Sequence, residues 1–96
     1  MTIETIPWDI TDFLSDDATI AAYLDEVFAD GDPDEMRDAL AHVARAKGMS
    51  DLAQAAGITR GGLYKALGEN GNPSFATVAA LLDAMGVRLA VLPKAA

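Results

Sequence analysis

Several residue types are absent or scarce in this chain, and each absence excludes a class of protein. None of the 96 residues is cysteine, so disulfides and thiolate metal sites are excluded. No apolar run approaches the roughly 20 residues that a helix needs to cross a bilayer. The opening Met-Thr-Ile-Glu lacks the early basic residue of a secretory signal. We therefore expect a cytoplasmic protein with no membrane partner.

The residues that enzymes use for catalysis are also scarce. His42 is the single histidine, and it falls mid-helix beside the apolar Val43, so we expect a half-exposed structural side chain and not a catalytic base. No Ser or Thr has a base at a recognisable spacing, no Gly-rich loop precedes a basic helix start, and no calcium-binding loop is present. The sequence predicts a protein that is not an enzyme and has neither metal ion nor cofactor.

The charge is negative overall and unevenly distributed. The formal net charge is −8, yet residues 1–36 contain eleven acids and no Lys or Arg, whereas residues 37–96 contain all seven bases and four acids. An acidic first third thus precedes a mildly basic remainder. This division favours two surfaces with different partners. The alternative is a solvated acidic face that only keeps the protein in solution.

The strongest pattern lies in residues 47–68 and is typical of a helix-turn-helix. Gly57 follows a short apolar face and suits the positive φ at which helices end, and Thr59 is placed to cap a second helix. Leu63 and Leu67, four residues apart, anchor that helix on the core and leave its other positions facing outward. A helix of this kind fits the DNA major groove. The alternative is a generic helical hairpin.

The outward positions of the second helix and the loop after it supply the candidate DNA contacts. Arg60 can form a bidentate pair with guanine, and the residues one turn later suit a base edge or a phosphate. Side chains and free amides before the last helix can donate to phosphates. The alternative for each is an ordinary solvated side chain. The predicted DNA-binding residues are Thr59, Arg60, Gly61, Tyr64, Lys65, Asn72 and Ser74.

Gly61 and Gly62 are unusual inside a short helix, where each costs about 0.8–1.0 kcal/mol relative to alanine. One interpretation is a close approach of the backbone to DNA. The other is a soft helix that reads DNA with little specificity.

Apolar spacing and capping residues predict the other elements. Short helical turns are expected at residues 9–14 and a longer helix from a cap at Ser15 to Gly31. The next helix starts at Asp32 and Pro33, with Glu35 reaching back as in a capping box, and ends at Gly48. Ser50 is expected to cap the first helix of the motif. Ser74 is expected to cap a final helix whose inward residues are Phe75, Val78, Leu82 and Met85.

These elements predict an all-α fold: a five-helix lambda-repressor-like helix-turn-helix domain with a short C-terminal β-strand. The strand is expected at residues 87–92, paired with Thr2–Ile6 or with a second copy of the chain, because an unpaired apolar edge is a liability. Residues 1–96 form one domain in this prediction. It comprises an acidic N-terminal helical extension (1–31), a helix-turn-helix core (32–86) and the strand (87–92).

Phrases along almost the whole chain resemble the HigA-like addiction-module antidote family, antitoxins with a Cro/repressor-type helix-turn-helix. The phrases are Trp8–Leu14, Ile20–Leu24, Gly57–Arg60, Leu63–Leu67, Gly71–Val78 and Ala84–Val87. The chain departs from the family at Gly61-Gly62, where polar helix formers are common. The resemblance implies a homodimer that represses its own operon by binding operator DNA. It also implies a partner toxin of the RelE/ParE superfamily, usually a ribosome-dependent mRNA endonuclease.

A toxin that grips RNA should be basic, so the acidic segment at residues 4–35 is a candidate cover for it. Acids of this segment and apolar anchors near the start of the chain are the candidate toxin contacts. They are Trp8, Asp12, Phe13, Asp16, Asp17, Asp25 and Glu26. Two other functions remain open: a stand-alone helix-turn-helix repressor without a toxin, and an inhibitor whose helix-turn-helix no longer binds DNA.

Overall fold

The computed structural model describes residues 16–94. This part of the chain folds into five helices. They are α1 (Asp17–Asp30), α2 (Pro33–Lys47), α3 (Met49–Ala56), α4 (Arg60–Leu67) and α5 (Phe75–Ala84). The mostly helical structure confirms the all-α prediction, and no helix among the described residues is long and apolar enough to cross a membrane.

The C-terminal strand is not present in this single chain. Residues 87–94 are irregular, and no β-strand occurs between residues 16 and 94. The helical turns predicted at residues 9–14 and the suggested partner Thr2–Ile6 lie outside the described residues. An apolar alternating pattern is insufficient here, because a strand also needs a neighbouring backbone to accept and donate hydrogen bonds.

Short polar side chains begin three helices as predicted. A carboxylate oxygen of Asp32 accepts from the Asp34 amide, with Pro33 at the first helical position. Ser74 Oγ accepts from the Thr77 amide at 3.1 Å, and Thr59 caps α4 in the same way. These caps satisfy amides that have no partner within the helix.

Two predicted caps are wrong by one or two positions. Asp16 caps α1 in place of Ser15, because its carboxylate accepts from the Thr19 amide at 2.8 Å. Gly48 is the cap residue of α3, and Ser50 lies within the first turn of that helix. The φ of 96° at Gly48 lets α2 end and α3 begin across a single residue, so no room is left for a separate capping side chain.

The core lies where α3 meets α2, α4 and α5, while α1 packs on α2. Its buried residues are Ile20, Leu24, Ala39, Leu40, Ala41, Val43, Ala44, Leu52, Ala53, Leu63, Leu67, Leu81, Leu82 and Met85. The predicted inward residue Phe75 does not belong to this core, since 78% of it is exposed. Phe75 is the first residue of α5, and the helix packs through Leu81, Leu82 and Met85 further along.

Candidate nucleic-acid interface

The turn between α3 and α4 has the geometry that its sequence predicts. Gly57 adopts a φ of 75° and donates its amide to the Gln54 carbonyl at 3.2 Å. The Ile58 amide then donates to the Ala53 carbonyl at 3.0 Å, and Ala53 is buried. Because Ala53 is small, α4 can cross close to α3. The turn therefore fixes the direction in which α4 leaves the core.

Helix α4 presents one face to solvent along its whole length. Thr59 Oγ1 accepts from the Gly62 amide at 2.9 Å, which holds the first turn. Leu63 and Leu67 are buried on the opposite side, so Arg60 and Lys65 project outward and are exposed. A short helix fixed at its cap and at two core leucines can enter a groove without losing its packing.

Arg60 and Tyr64 contact each other on this exposed face. The guanidinium Nη2 donates to the Tyr64 hydroxyl at 3.2 Å, and the guanidinium carbon lies 5.4 Å from the ring centroid. The two side chains are one helical turn apart, which is the spacing at which helical neighbours meet. Both remain exposed, so the pair orients Arg60 without burying its donors.

The two glycines of α4 have different surroundings. A side-chain Cβ at Gly61 would meet nothing within 4 Å, whereas one at Gly62 would lie 2.9 Å from the capping hydroxyl of Thr59. Gly62 therefore makes room for the cap. The chain's own packing leaves Gly61 open to solvent.

A second part of the candidate interface lies where α4 meets the loop at residues 68–74. The cleft there has a volume of about 530 Å³. It brings Lys65 and Asn72 together, while Thr59, Arg60, Tyr64 and Ser74 lie outside its walls. The lining residues are Gly62, Lys65, Ala66, Glu69, Asn70, Gly71 and Asn72.

Sequence reasoning missed Glu69 and Asn70 in this cleft. Asn70 adopts a φ of 66°, a conformation that asparagine tolerates better than most residues. The turn-forming residues at positions 68–73 predict a loop. They do not predict that Glu69 and Asn70 line a cleft with Lys65. Glu69 adds one negative charge to the cleft that Lys65 lines, in the region predicted to meet phosphates.

Among the described acidic residues predicted to meet a toxin, Asp16 and Asp17 contact other residues of the chain, whereas Asp25 and Glu26 form no ion pair. Asp16 caps α1, and the bond from the Thr19 amide holds the pKa of its carboxyl below the ordinary value. Asp17 lies 3.4 Å from Lys47 Nζ. Asp25 and Glu26 are exposed on α1 and form no ion pair with another residue in the range 16–94. Trp8, Asp12 and Phe13 lie outside the described residues.

A groove beside Asp25 was not predicted from the sequence. It has a volume of about 460 Å³ and lies between α1 and the C-terminal tail. Its walls include Ala21, Ala22, Leu24, Asp25, Phe28, Val87, Leu89 and Leu92. Leu89 and Leu92 are exposed, so the groove has an apolar surface, with Asp25 on its α1 side and Arg88 on its tail side.

His42 contacts Tyr23 between two helices. Its Nδ1 lies 2.6 Å from the Tyr23 hydroxyl, which links α2 to α1. Burial raises the pKa of Tyr23, and the negative charge of Asp38 raises it further. Between residues 16 and 94, no group of three or more His, Asp or Glu side chains could hold a metal ion.

Comparison with known proteins agrees with the broader part of the resemblance, the addiction-module antidote family. A family model described as "probable addiction module antidote protein" matches residues 4–93. An uncharacterised protein of Haemophilus influenzae is 38% identical over 91 residues, which cover 95% of this chain and 94% of that protein. No solved structure matches the chain significantly. Since the family model spans nearly all of the sequence, the chain belongs to this addiction module antidote family.

Proposed function

We propose that this protein is the antitoxin of a type II toxin–antitoxin module. In this proposal it neutralises a RelE/ParE-superfamily toxin by direct binding and represses its own operon by binding operator DNA. It acts by binding and has no catalytic activity. The observation that carries the proposal is the exposed α4 face, with Arg60 and Lys65 held outward by a capped and anchored helix, in a chain of the antidote family.

The arrangement of α4 and its loop supports two kinds of DNA contact. Arg60 near the start of the helix suits a guanine edge, and Tyr64 lies one turn further on. Lys65 and Asn72 share a cleft beside the helix, which suits the phosphate backbone. The first amides of α5, where Ser74 is the capping residue, suit a phosphate as helix N-termini do.

Two copies are needed for tight binding, so we propose a homodimer. A single small module buries roughly 600–1,000 Å² on DNA, and one α4 helix can contact only a few DNA bases. Two α4 helices should meet half-sites about 34–36 Å apart or a multiple of that distance. The tail at residues 87–92 is a candidate for pairing between copies, because Val91 and Leu92 are exposed and no partner covers them within the described chain.

The acidic face of α1 supports the proposed toxin contact. Asp25 and Glu26 have no partner of opposite charge in the described chain, and Asp25 borders the apolar groove against the tail. A basic toxin meeting the α1 side of this groove would find complementary negative charge beside an apolar surface, a composition typical of protein interfaces.

The test is co-expression with the product of the neighbouring gene, followed by purification and operator binding. We expect co-purification with a small basic toxin and a shifted operator fragment. In cells with an inducible toxin, Asp25→Lys with Glu26→Lys should weaken protection and make association less sensitive to salt. The matched control is Asp51→Lys with Asp83→Lys, which changes net charge equally at exposed positions outside α1.

The outcomes separate the remaining functions. Operator binding with no toxin partner would identify a stand-alone repressor. Toxin neutralisation with no operator shift would identify an inhibitor that does not bind DNA. Unchanged protection in both double variants would mean that the toxin binds elsewhere on the chain.

A further inference from the structure

We propose that Arg37 is a positioning residue for DNA binding, because it fixes the loop that carries Asn72 and Ser74. The proposal rests on the DNA-binding function above. Arg37 lies on α2, outside the helix-turn-helix, and the sequence pattern offers no reason to assign it a role. Its role follows from a contact with Gly71, which is 34 positions away in the chain.

The guanidinium of Arg37 joins α2 to the loop. Its Nη1 donates to the Gly71 carbonyl at 3.2 Å and to a carboxylate oxygen of Asp34 at the same distance. Its Nη2 lies 3.5 Å from a carboxylate oxygen of Asp38. The planar guanidinium therefore has one donor group directed at the loop, with the two carboxylates holding its orientation.

Gly71 sits at the point where the loop is most tightly constrained. Its amide donates to the Gly68 carbonyl at 2.8 Å, and a Cβ at this position would lie 2.2 Å from the Ala66 carbonyl oxygen. The Gly71 carbonyl belongs to the peptide plane that also contains the Asn72 amide. Fixing that carbonyl therefore fixes the direction in which Asn72 leaves the loop.

Beside the bond from Arg37, α2 and the loop border a cleft of about 260 Å³. Arg37 lines it together with apolar residues that include Met36, Leu40, Pro73 and Val78. Among residues 16–94, the bond from Arg37 to Gly71 is the one hydrogen bond between α2 and residues 69–73. Arg37 is thus the α2 side chain that ties this stretch to the helix.

Global stability does not explain why an arginine occupies this position. Its side chain is 14% exposed, and the Nε atom is buried with no hydrogen-bond partner among the described residues. Removing one partner of a buried ion pair is strongly destabilising when it leaves a buried charge behind. Asp34 and Asp38 are exposed, so water would solvate both carboxylates after Arg37→Met and no buried charge would be left.

The test compares Arg37→Met with the wild-type dimer on operator DNA. We expect Arg37→Met to melt near the wild-type temperature and to lose affinity about tenfold, which is about 1.4 kcal/mol at 25 °C. The amide resonances of Gly71 and Asn72 should shift or broaden, while those of α3 stay in place. In an Asn72→Ala, Ser74→Ala background, the same change should have little further effect, because the groups that Arg37 positions are gone.

Two further variants separate position from charge. Arg45→Met removes the same charge from an exposed site on α2 and should bind nearly as wild type does. Arg37→Lys keeps the charge but not the planar guanidinium, so it should lose most of the affinity that Arg37→Met loses. If Arg37→Met does not fold, Arg37→Lys is the variant that tests the proposal.

The outcomes also separate this proposal from the function on which it rests. Wild-type affinity in folded Arg37→Met and Arg37→Lys would overturn the positioning role alone. An undiminished effect of Arg37→Met in the Asn72→Ala, Ser74→Ala background would do the same. A wild-type protein that fails to bind DNA would overturn the DNA-binding function, and this proposal with it.

Discussion

The guanidinium of Arg60 is hydrogen-bonded to the hydroxyl of Tyr64 on the exposed face of α4, with 3.2 Å between Nη2 and the hydroxyl oxygen. The bond lies at the surface, so it contributes little to folding. Its consequence is directional: the side chain best suited to read guanine is already held along the helix. A preoriented side chain loses less rotamer freedom on binding than a free one.

The first prediction separates the orientation of Arg60 from its presence. Arg60→Ala should cost about 1–3 kcal/mol of operator binding and relax specificity at one base position. Tyr64→Phe keeps the ring and removes the hydrogen bond, so it should cost less than about 1 kcal/mol and leave the base preference intact. Binding to an operator series with each base pair varied in turn measures both. Wild-type binding and base preference in Arg60→Ala would show that α4 does not read DNA through this residue.

The second prediction concerns Lys65, which lines the cleft between α4 and the loop. Lys65→Ala should weaken binding to all DNA sequences similarly, because a phosphate contact carries no base information. The slope of log affinity against log salt should fall in magnitude by about 1. A salt slope equal to that of the wild type would place Lys65 away from the DNA backbone.

The third prediction uses the two glycines of α4 as a matched pair. Gly61→Ala should stabilise the protein by up to about 1 kcal/mol, because nothing lies within 4 Å of the added methyl group. Gly62→Ala should gain less or destabilise, since its methyl group would meet the Thr59 hydroxyl at 2.9 Å and disturb the cap. Thermal melts of the two variants measure the difference.

Operator binding by Gly61→Ala then tests why that glycine is present. A stabilised variant with weakened DNA binding would indicate that the helix backbone approaches DNA at Gly61. Unchanged binding would indicate a soft helix without such an approach. Thr59→Ala is the control for the cap, because it removes the capping hydroxyl. Loss of the cap should cost about 0.5–2 kcal/mol of stability.

The fourth prediction concerns pH and the contact between Tyr23 and His42. Burial raises the folded-state pKa of Tyr23 above its ordinary value of 10.0, so the unfolded chain releases this proton first as pH rises. The contribution of the protonated Tyr23 to the free energy of unfolding is therefore complete at pH values below its ordinary pKa. It is lost as pH rises through the pKa of the folded state. Because phenylalanine does not ionise, Tyr23→Phe should remove the part of the stability loss at high pH that comes from Tyr23.

At neutral pH the same variant should be less stable by about 0.5–1.5 kcal/mol, because it loses the hydrogen bond to His42. Urea unfolding of both proteins, at neutral pH and above about pH 10, measures the two effects. Parallel loss of stability in wild type and Tyr23→Phe above pH 10 would mean that other groups cause the alkaline transition.

Local interactions explain which parts of the fold could be predicted from the sequence. The caps at Asp32, Thr59 and Ser74 and the positive φ at Gly57 each depend on a few neighbouring residues. The outward face of α4 follows from the spacing of Leu63 and Leu67. These features need no knowledge of distant parts of the chain.

The errors and omissions involve contacts between distant residues. Phe75 fits the helical spacing of α5, but its exposure depends on where the core ends and not on periodicity. The strand predicted at residues 87–92 needs a partner that the described chain does not provide. Arg37 and Gly71 are 34 positions apart, so their hydrogen bond has no signature in any local pattern.

The single residue between α2 and α3 has a consequence for how the domain opens. Gly48 begins α3 with no side-chain cap, so the amides of Met49, Ser50 and Asp51 lack the kind of acceptor that Thr59 offers to α4. We expect these amides to exchange with deuterium sooner than the Gly62 amide, and local unfolding of the motif to start at this joint. Gly48 would then be the point at which the motif first opens.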